Sequence, residues 1–84
     1  MIDILYFARL REVIGRAHER LELPSGVDSI AKLVALLRAR GDPWATALGG
    51  RQPVLTAVNQ QIAHPETPVR DGDEIALFPP VTGG

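Results

Sequence analysis

One amphipathic segment near the middle of the chain limits the fold more than any other feature. Four aliphatic residues recur there at positions i, i+3, i+4 and i+7, namely Ile30, Leu33, Val34 and Leu37. This spacing predicts a helix with one buried face. Asp28 is its predicted N-cap, Arg38 and Arg40 suit its C-terminal end, and Gly41 ends it. Since one such helix cannot bury its stripe alone, the rest of the chain must supply a sheet for it to pack against.

The remaining segments supply that sheet. Five stretches have the composition or the alternation of strands, namely Ile2 to Ala8, His18 to Leu23, Val54 to Val58, Ile62 to Ala63 and Glu74 to Phe78. The first strand is apolar at both even and odd positions, so we expect both of its faces to be covered. Two short helices are predicted from Arg9 to Ile14 and from Pro43 to about Leu48. This order predicts an α+β domain of the β-grasp type, in which a mixed sheet packs against one main helix and short helices.

Length and composition exclude several functions. A chain of 84 residues forms one domain and cannot enclose a large active site. The net charge of −1 and the lack of a basic stripe make nucleic acid an unexpected partner. No segment is long and apolar enough for a membrane span, and no signal peptide is visible, so we expect a cytoplasmic protein.

Side chains offer little reactive chemistry. There is no cysteine, and His18 and His64 do not belong to a spaced ligand cluster. Asp71, Asp73 and Glu74 form an acidic group that suggests either a metal site or a turn. We favour the turn, because Asp-Gly-Asp is turn chemistry in which the glycine takes a positive φ. No nucleophile motif or phosphate-binding loop is present.

The C-terminal carboxylate is therefore the best candidate for a reactive group. Gly83 and Gly84 lack a Cβ, so the carboxylate of Gly84 can pass down a narrow channel into another protein. Pro79 and Pro80 favour an extended approach, and the segment to Gly84 can reach roughly 20 Å. We predict a β-grasp domain over residues 1–78 and a functional tail over residues 79–84. The alternative is an ordinary frayed end.

The last strand also predicts a docking surface. Ile75 and Leu77 should face the main helix, because side chains alternate along a strand. Phe78 then lies on the opposite face with Phe7 and Ile62, where no long helix is left to cover them. An exposed apolar group beside a functional tail indicates a protein partner. The alternative is that one of the two short helices covers these residues.

The sequence resembles the molybdopterin synthase small subunit family over essentially the whole chain. The resemblance rests on the ending Phe78-Pro79-Pro80-Val81-Thr82-Gly83-Gly84, on Asp71-Gly72-Asp73-Glu74, on Leu5 to Glu12, and on Ala57-Val58-Asn59-Gln60. The ending is more specific than a terminal Gly-Gly, which ubiquitin-like carriers share.

The resemblance implies a ubiquitin-like sulfur carrier. An adenylyltransferase related to ubiquitin-activating enzymes would adenylate Gly84 with ATP and magnesium, and a sulfur donor protein would then leave a thiocarboxylate. The tail, with Pro79, Pro80, Val81, Thr82 and Gly83, would enter the synthase large subunit and deliver sulfur to a cyclic pterin precursor of the molybdenum cofactor. The assembly implied is a heterotetramer of two small and two large subunits, and this chain itself would bind no cofactor or metal.

Three related functions use the same carboxylate. They are sulfur transfer for the thiazole of thiamine, sulfur transfer for tRNA thiolation, and attachment to lysines as a ubiquitin-like protein modifier. The proline-rich ending and the full-chain match favour the synthase subunit over these alternatives.

Overall fold

The computed structural model describes residues 1–50 and 53–80 of the chain. Five strands and three helices follow one another in the predicted order. They are β1 (Ile2–Tyr6), α1 (Ala8–Ile14), β2 (His18–Leu21), α2 (Ile30–Arg38), α3 (Trp44–Gly49), β3 (Leu55–Val58), β4 (Gln61–Ile62) and β5 (Glu74–Phe78).

The strands form one mixed sheet in the order β2-β1-β5-β3-β4. The central pair, β1 and β5, is parallel, with Ile4 opposite Ile75 and Tyr6 opposite Leu77. All other neighbours are antiparallel. A parallel pair needs a long crossover, and the chain from α1 to β4 supplies it. The predicted α+β β-grasp fold is confirmed.

The core lies between one face of this sheet and helix α2. Alternate residues of β1 and β5 point into it, including Ile4, Ile75 and Leu77, which are fully buried. Leu33 and Leu37 of α2 are also fully buried and belong to the same cluster. The prediction that Ile75 and Leu77 face the main helix is therefore confirmed, whereas Val34 of the predicted stripe is only half-buried.

The predicted N-cap of α2 was wrong by one residue. Ser29 caps the helix, because its backbone is extended and its hydroxyl accepts a hydrogen bond from the amide of Lys32 at 3.3 Å. Asp28 lies one position too early for that bond. Its carboxylate instead contacts the Lys32 ammonium at 3.0 Å, and its carbonyl accepts from the amide of Val69.

The first strand is shorter and less covered than expected. It ends at Tyr6 rather than Ala8, because Phe7 is the N-cap of α1 and the helix begins at Ala8. Its second face is not buried, since Leu5 is half-buried and Phe7 is 45% exposed. The expectation that both faces are covered was therefore wrong.

The other element boundaries differ by one or two residues at most, and β5 matches its prediction. Gly15 ends α1 in the left-handed region, as expected for a helix stop. Asp42 accepts hydrogen bonds from the amide and the hydroxyl of Thr46 and so stabilises the start of α3. Within the described ranges, no helix is long and apolar enough to cross a membrane.

Candidate functional site

The base of the predicted tail is held by the central strand of the sheet. β5 lies between β1 and β3, so both of its edges are paired. At its end, the carbonyl of Leu77 accepts from the amide of Phe7 at 3.1 Å, and Phe78 pairs with Leu55. The end of β5 is therefore fixed on two sides.

The structure describes only the first part of the tail. Pro79 and Pro80 follow β5 directly and are half-buried. The predicted positions Val81, Thr82, Gly83 and Gly84 lie outside the described residues. The end of β5 at Phe78 coincides with the predicted start of the tail, and the division into domain and tail stays a prediction.

The three predicted docking residues share the sheet face that points away from α2. The register places Phe78 beside Leu55 on this face, and Ile62 beside Ala57. Phe7 follows Tyr6, which pairs with Leu77, so it lies at the same end of the sheet as Phe78. Ile62 is 70% exposed, and Phe78 is half-buried. We call this apolar face, made of Leu5, Phe7, Leu55, Ala57, Ile62, Ala76 and Phe78, the outer face.

Neither short helix covers the outer face. The buried residues of α1 and α3, Leu10, Ile14 and Leu48, belong to the core on the opposite side of the sheet. Leu55, which is 37% exposed, was not singled out from the sequence. In the predicted third strand Leu55 and Thr56 point to opposite faces of the sheet. This alternation is the signal that could have placed Leu55 on the same face as Phe78.

A charged group borders the outer face along β2. The carboxylate of Asp3 contacts Nε2 of His18 at 3.1 Å and Nε of Arg20 at 3.3 Å. All three side chains are exposed to solvent by about 40% or more, so their mutual attraction contributes little to stability. They do limit the apolar surface on this side, which is typical of the polar rim of an interface.

A hydrogen-bonded cluster lies beneath the base of the tail, on the core side. The carboxylate of Glu19 on β2 accepts a hydrogen bond from the Tyr6 hydroxyl. It also accepts one from Nη1 of Arg40, with 2.8 Å between that nitrogen and Oε1 of Glu19. Nε1 of Trp44 donates to the Tyr6 hydroxyl at 3.1 Å, and the Arg40 guanidinium lies 4.7 Å from the centre of the Trp44 ring. Because Tyr6 pairs with Leu77, this cluster links both α3 and the turn after α2 to the strand end that carries the tail.

The surroundings in this cluster shift the pKa values of both Tyr6 and Glu19. Burial raises the pKa of the Tyr6 hydroxyl, and its hydrogen bond to Glu19 raises it further. Burial alone would also raise the pKa of Glu19, but the hydrogen bonds from Arg40 and Tyr6 outweigh it and lower that pKa. Tyr6 is therefore a neutral donor and Glu19 an ionised acceptor near neutral pH.

The acidic group near β5 has the contacts of a turn. Gly72 has φ of 92°, as predicted for the turn. The Asp71 carboxylate pairs with the N-terminal amine, which lowers the pKa of Asp71. The Asp73 carboxylate accepts from the amide of Arg70 at 2.8 Å and from the Asn59 side chain at 2.9 Å. In the described part of the chain, no group of three or more possible ligand side chains is placed to hold a metal ion.

Comparison with known proteins identifies relatives over the full length. The model of the ThiS family matches residues 4–84. The chain is 40% identical to the molybdopterin synthase sulfur carrier subunit of Escherichia coli over 84 residues, and each chain is covered completely. It is 44% identical to the subunit of the same name from Haemophilus influenzae over 87 residues, again with complete coverage of both.

Solved structures agree with the fold. The small archaeal modifier protein SAMP1 of Haloferax volcanii superposes with a TM-score of 0.75 at 27% identity, covering 99% of this chain and 98% of that chain. A protein-protein complex of subunits 1 and 2 of the molybdopterin-converting factor from Helicobacter pylori contains a chain similar at a TM-score of 0.66 and 25% identity. That match covers 99% of this chain and 97% of the other.

Proposed function

The chain belongs to the ThiS family, and from that membership we propose that it is the sulfur carrier subunit of a molybdopterin synthase. The observation that carries the proposal is the match along the whole length, at 40% and 44% identity, to two subunits of that name. The fold supports the proposal, because β5 is paired on both edges and ends beside an exposed apolar face.

The reacting group in this proposal is the carboxylate of Gly84. A carboxylate is a poor acylating group because its oxygen leaves badly. Attack of the carboxylate on the α-phosphorus of ATP releases pyrophosphate and makes an acyl-adenylate. A hydrosulfide ion released by a donor protein then attacks the carbonyl carbon, AMP leaves with the electron pair of the broken bond, and loss of one proton gives the thiocarboxylate. ATP and magnesium belong to the adenylyltransferase in this scheme, and the cytoplasm is the expected compartment.

The thiocarboxylate then acts in the synthase large subunit. Subunits 1 and 2 of the Helicobacter pylori factor form a complex, and we propose the same kind of partner here. The outer face supplies the docking surface, with Phe7, Ile62 and Phe78 as its large exposed or half-exposed side chains. Docking would direct Pro79 and Pro80 into the partner, so that Gly84 reaches the cyclic pterin precursor. Two small and two large subunits make the proposed assembly.

A second function has an observation in its favour. The similarity to a small archaeal modifier protein at a TM-score of 0.75 is consistent with attachment of Gly84 to lysines of other proteins. Thiazole synthesis and tRNA thiolation use the same activated carboxylate. These functions differ from the proposed one in the acceptor alone, so only an assay of the acceptor separates them.

The test uses the intact chain and a variant that lacks Gly84. We expect mass spectrometry, after incubation with the activating enzyme, ATP and a sulfur donor, to show replacement of one terminal oxygen by sulfur in the parent. Addition of the large subunit and the pterin precursor should then restore the original mass and give the dithiolene product. The deletion variant should show neither change.

A variant with one residue added after Gly84 is the matched control, because it keeps every residue of the tail and moves only the carboxylate. Sulfur transfer by the deletion variant at the parent rate would contradict the proposed role of Gly84. Formation of lysine adducts without any pterin product would favour the modifier function.

A further inference from the structure

An apolar groove lies between helix α2 and the β3–β4 edge of the sheet. Its volume is about 470 Å³. Ile30, Val34 and Arg38 line it on the helix, and Val54, Leu55 and Ile62 line the opposite wall. Arg38 and Thr56 are its polar members. The core packing described above does not fill this groove, so it presents apolar surface to a partner.

The groove is continuous with the outer face. Leu55 and Ile62 belong to both surfaces, because they lie on the outer face by register and also line the groove. Ile62, at 70% exposure, stands at the ridge between them. A partner that covers the outer face and buries Ile62 completely must therefore also extend over this edge.

The helix wall allows a main chain to approach closely. The residues of α2 that face the groove between Ile30 and Arg38 include Ala31 and Ala35, and both are exposed. Their side chains end at the methyl group, so a partner's main chain can come close to the helix there. The lining residues of α2 run from Ile30 to Arg38, which is roughly 12 Å at 1.5 Å per residue. About four residues of extended chain, at about 3.3 Å each, would span that length.

The positive charge of Arg38 at one end of the groove favours an acidic residue in the segment that binds there. Arg38 lies in the last turn of α2, and its guanidinium packs beside Gly49, where an added Cβ would be only 3.2 Å from Nη2. Within residues 1–50 and 53–80 Arg38 makes no ion pair, whereas Arg40 pairs with Glu19. A guanidinium at the end of an apolar groove is complementary to a carboxylate.

We propose that an extended segment of the synthase large subunit, with an aliphatic side chain followed by an acidic residue, wraps around the β3–β4 edge and occupies this groove. The inference rests on the proposed function, since it extends the docking surface of the same complex. The aliphatic side chain packs against Val34 and Val54, and the carboxylate pairs with Arg38. The groove would thus make binding specific, because the large subunit contacts both surfaces and other proteins contact the outer face alone.

The test measures affinity for the purified large subunit. We expect Arg38→Glu to weaken binding about tenfold or more at low salt and Arg38→Gln to weaken it less, since the first creates repulsion and the second only removes attraction. The loss should shrink at about 1 M salt, where exposed charges are screened. Lys32→Glu is the matched control, because it makes the same charge change on α2 outside the groove, and it should bind like the parent.

Ala35→Gln tests the apolar part without a change in charge, and we expect it to weaken binding by filling the groove. Thermal unfolding of each variant separates loss of binding from loss of fold. If Arg38→Glu and Ala35→Gln both bind like the parent, the groove inference is wrong. If Phe78→Ala weakens binding in that same experiment, the proposed synthase complex still stands. The inference would also be overturned if Arg38→Glu bound the activating enzyme more weakly than the parent does but bound the large subunit like the parent.

Discussion

The hydrogen-bonded cluster of Tyr6, Glu19, Arg40 and Trp44 provides the sharpest test of how the domain holds the end of β5. Glu19→Gln keeps the shape of the side chain and removes its charge. The carboxylate is 9% exposed and accepts from the Tyr6 hydroxyl and from Arg40 through both of its oxygens, at 2.8 and 3.1 Å. The amide retains one acceptor and turns a donor towards Arg40, so a charged hydrogen bond is lost and a donor is left without a partner.

The expected cost follows from those contacts. A hydrogen bond to a charged group contributes roughly 1.5–3 kcal/mol, so we expect the free energy of unfolding to fall by about 2 kcal/mol. For a domain of this size each kcal/mol corresponds to roughly 4–8 °C in Tm. The variant should therefore unfold about 8–16 °C below the parent at neutral pH. Calorimetry, or the fluorescence of Trp44, measures this difference.

The pH dependence identifies the cause. The pKa of Glu19 is lowered from its ordinary value of 4.5 in the folded state. Its ionised form therefore stabilises the fold above pH 4.5, and that contribution is lost as the pH falls through the lowered folded pKa. The Tm difference between parent and variant should be full at neutral pH and should shrink as the pH falls below 4.5 towards the lowered folded pKa.

Glu22→Gln is the control for this series, because it makes the same change at an exposed position just after β2. We expect its Tm to stay within about 4 °C of the parent at every pH, since surface changes are usually worth less than about 0.5 kcal/mol. A Glu19→Gln difference below that size, or one that does not change with pH, would refute the assignment of Glu19 as an ionised acceptor.

Three further predictions concern titration, packing and the tail. Tyr6 is the only tyrosine, and its pKa is raised above the ordinary 10.0 by burial, so stability should be lost as the pH rises beyond that value and ultraviolet absorbance should show phenolate only as the protein unfolds. Leu33→Ala removes a fully buried side chain from the core and should lower the unfolding free energy by about 2–5 kcal/mol in denaturant titrations. Gly83→Val should bind both partner proteins normally but lose on the order of 100-fold in single-turnover sulfur transfer, because a branched Cβ would hinder passage down a narrow channel and a misplacement of about 1 Å can cost that much in rate. Equal losses in binding and transfer, or no loss in either, would contradict the channel argument.

The parts of the fold that sequence reasoning predicted well are those with a strong local pattern. The i, i+3, i+4, i+7 stripe located α2, and the alternation after Asp73 located β5 to the residue. The N-cap was missed because Asp28 and Ser29 are both good caps, and the choice between them depends on tertiary bonds such as those from the Val69 amide to the Asp28 carbonyl and from the Ile30 amide to the Thr67 carbonyl. The second face of β1 was misjudged because the periodicity of apolar residues cannot tell a buried face from an exposed one.

The candidate site divides in the same way. The outer face was predictable from the lack of a second long helix, and Leu55 could have been added by alternation. The cluster of Tyr6, Glu19, Arg40 and Trp44 joins residues as far apart as 38 positions, and no local pattern brings them together. The groove beside Arg38 likewise depends on how α2 lies over β3 and β4, which is a property of the tertiary packing alone.

The proposed reacting group, Gly84, follows the last strand in the sequence, and this has a consequence for how stability and function would be linked. Leu33 lies in the core, whereas Gly83 lies beyond the last strand. A chain that retains even about 2 kcal/mol of stability is more than 95% folded, since each 1.4 kcal/mol is a factor of ten in the equilibrium constant. Leu33→Ala should therefore lower Tm while sulfur transfer at low temperature stays near the parent rate, and Gly83→Val should do the reverse. A domain with its active group in an internal pocket would not allow this separation, because loosening of the core would displace the catalytic side chains.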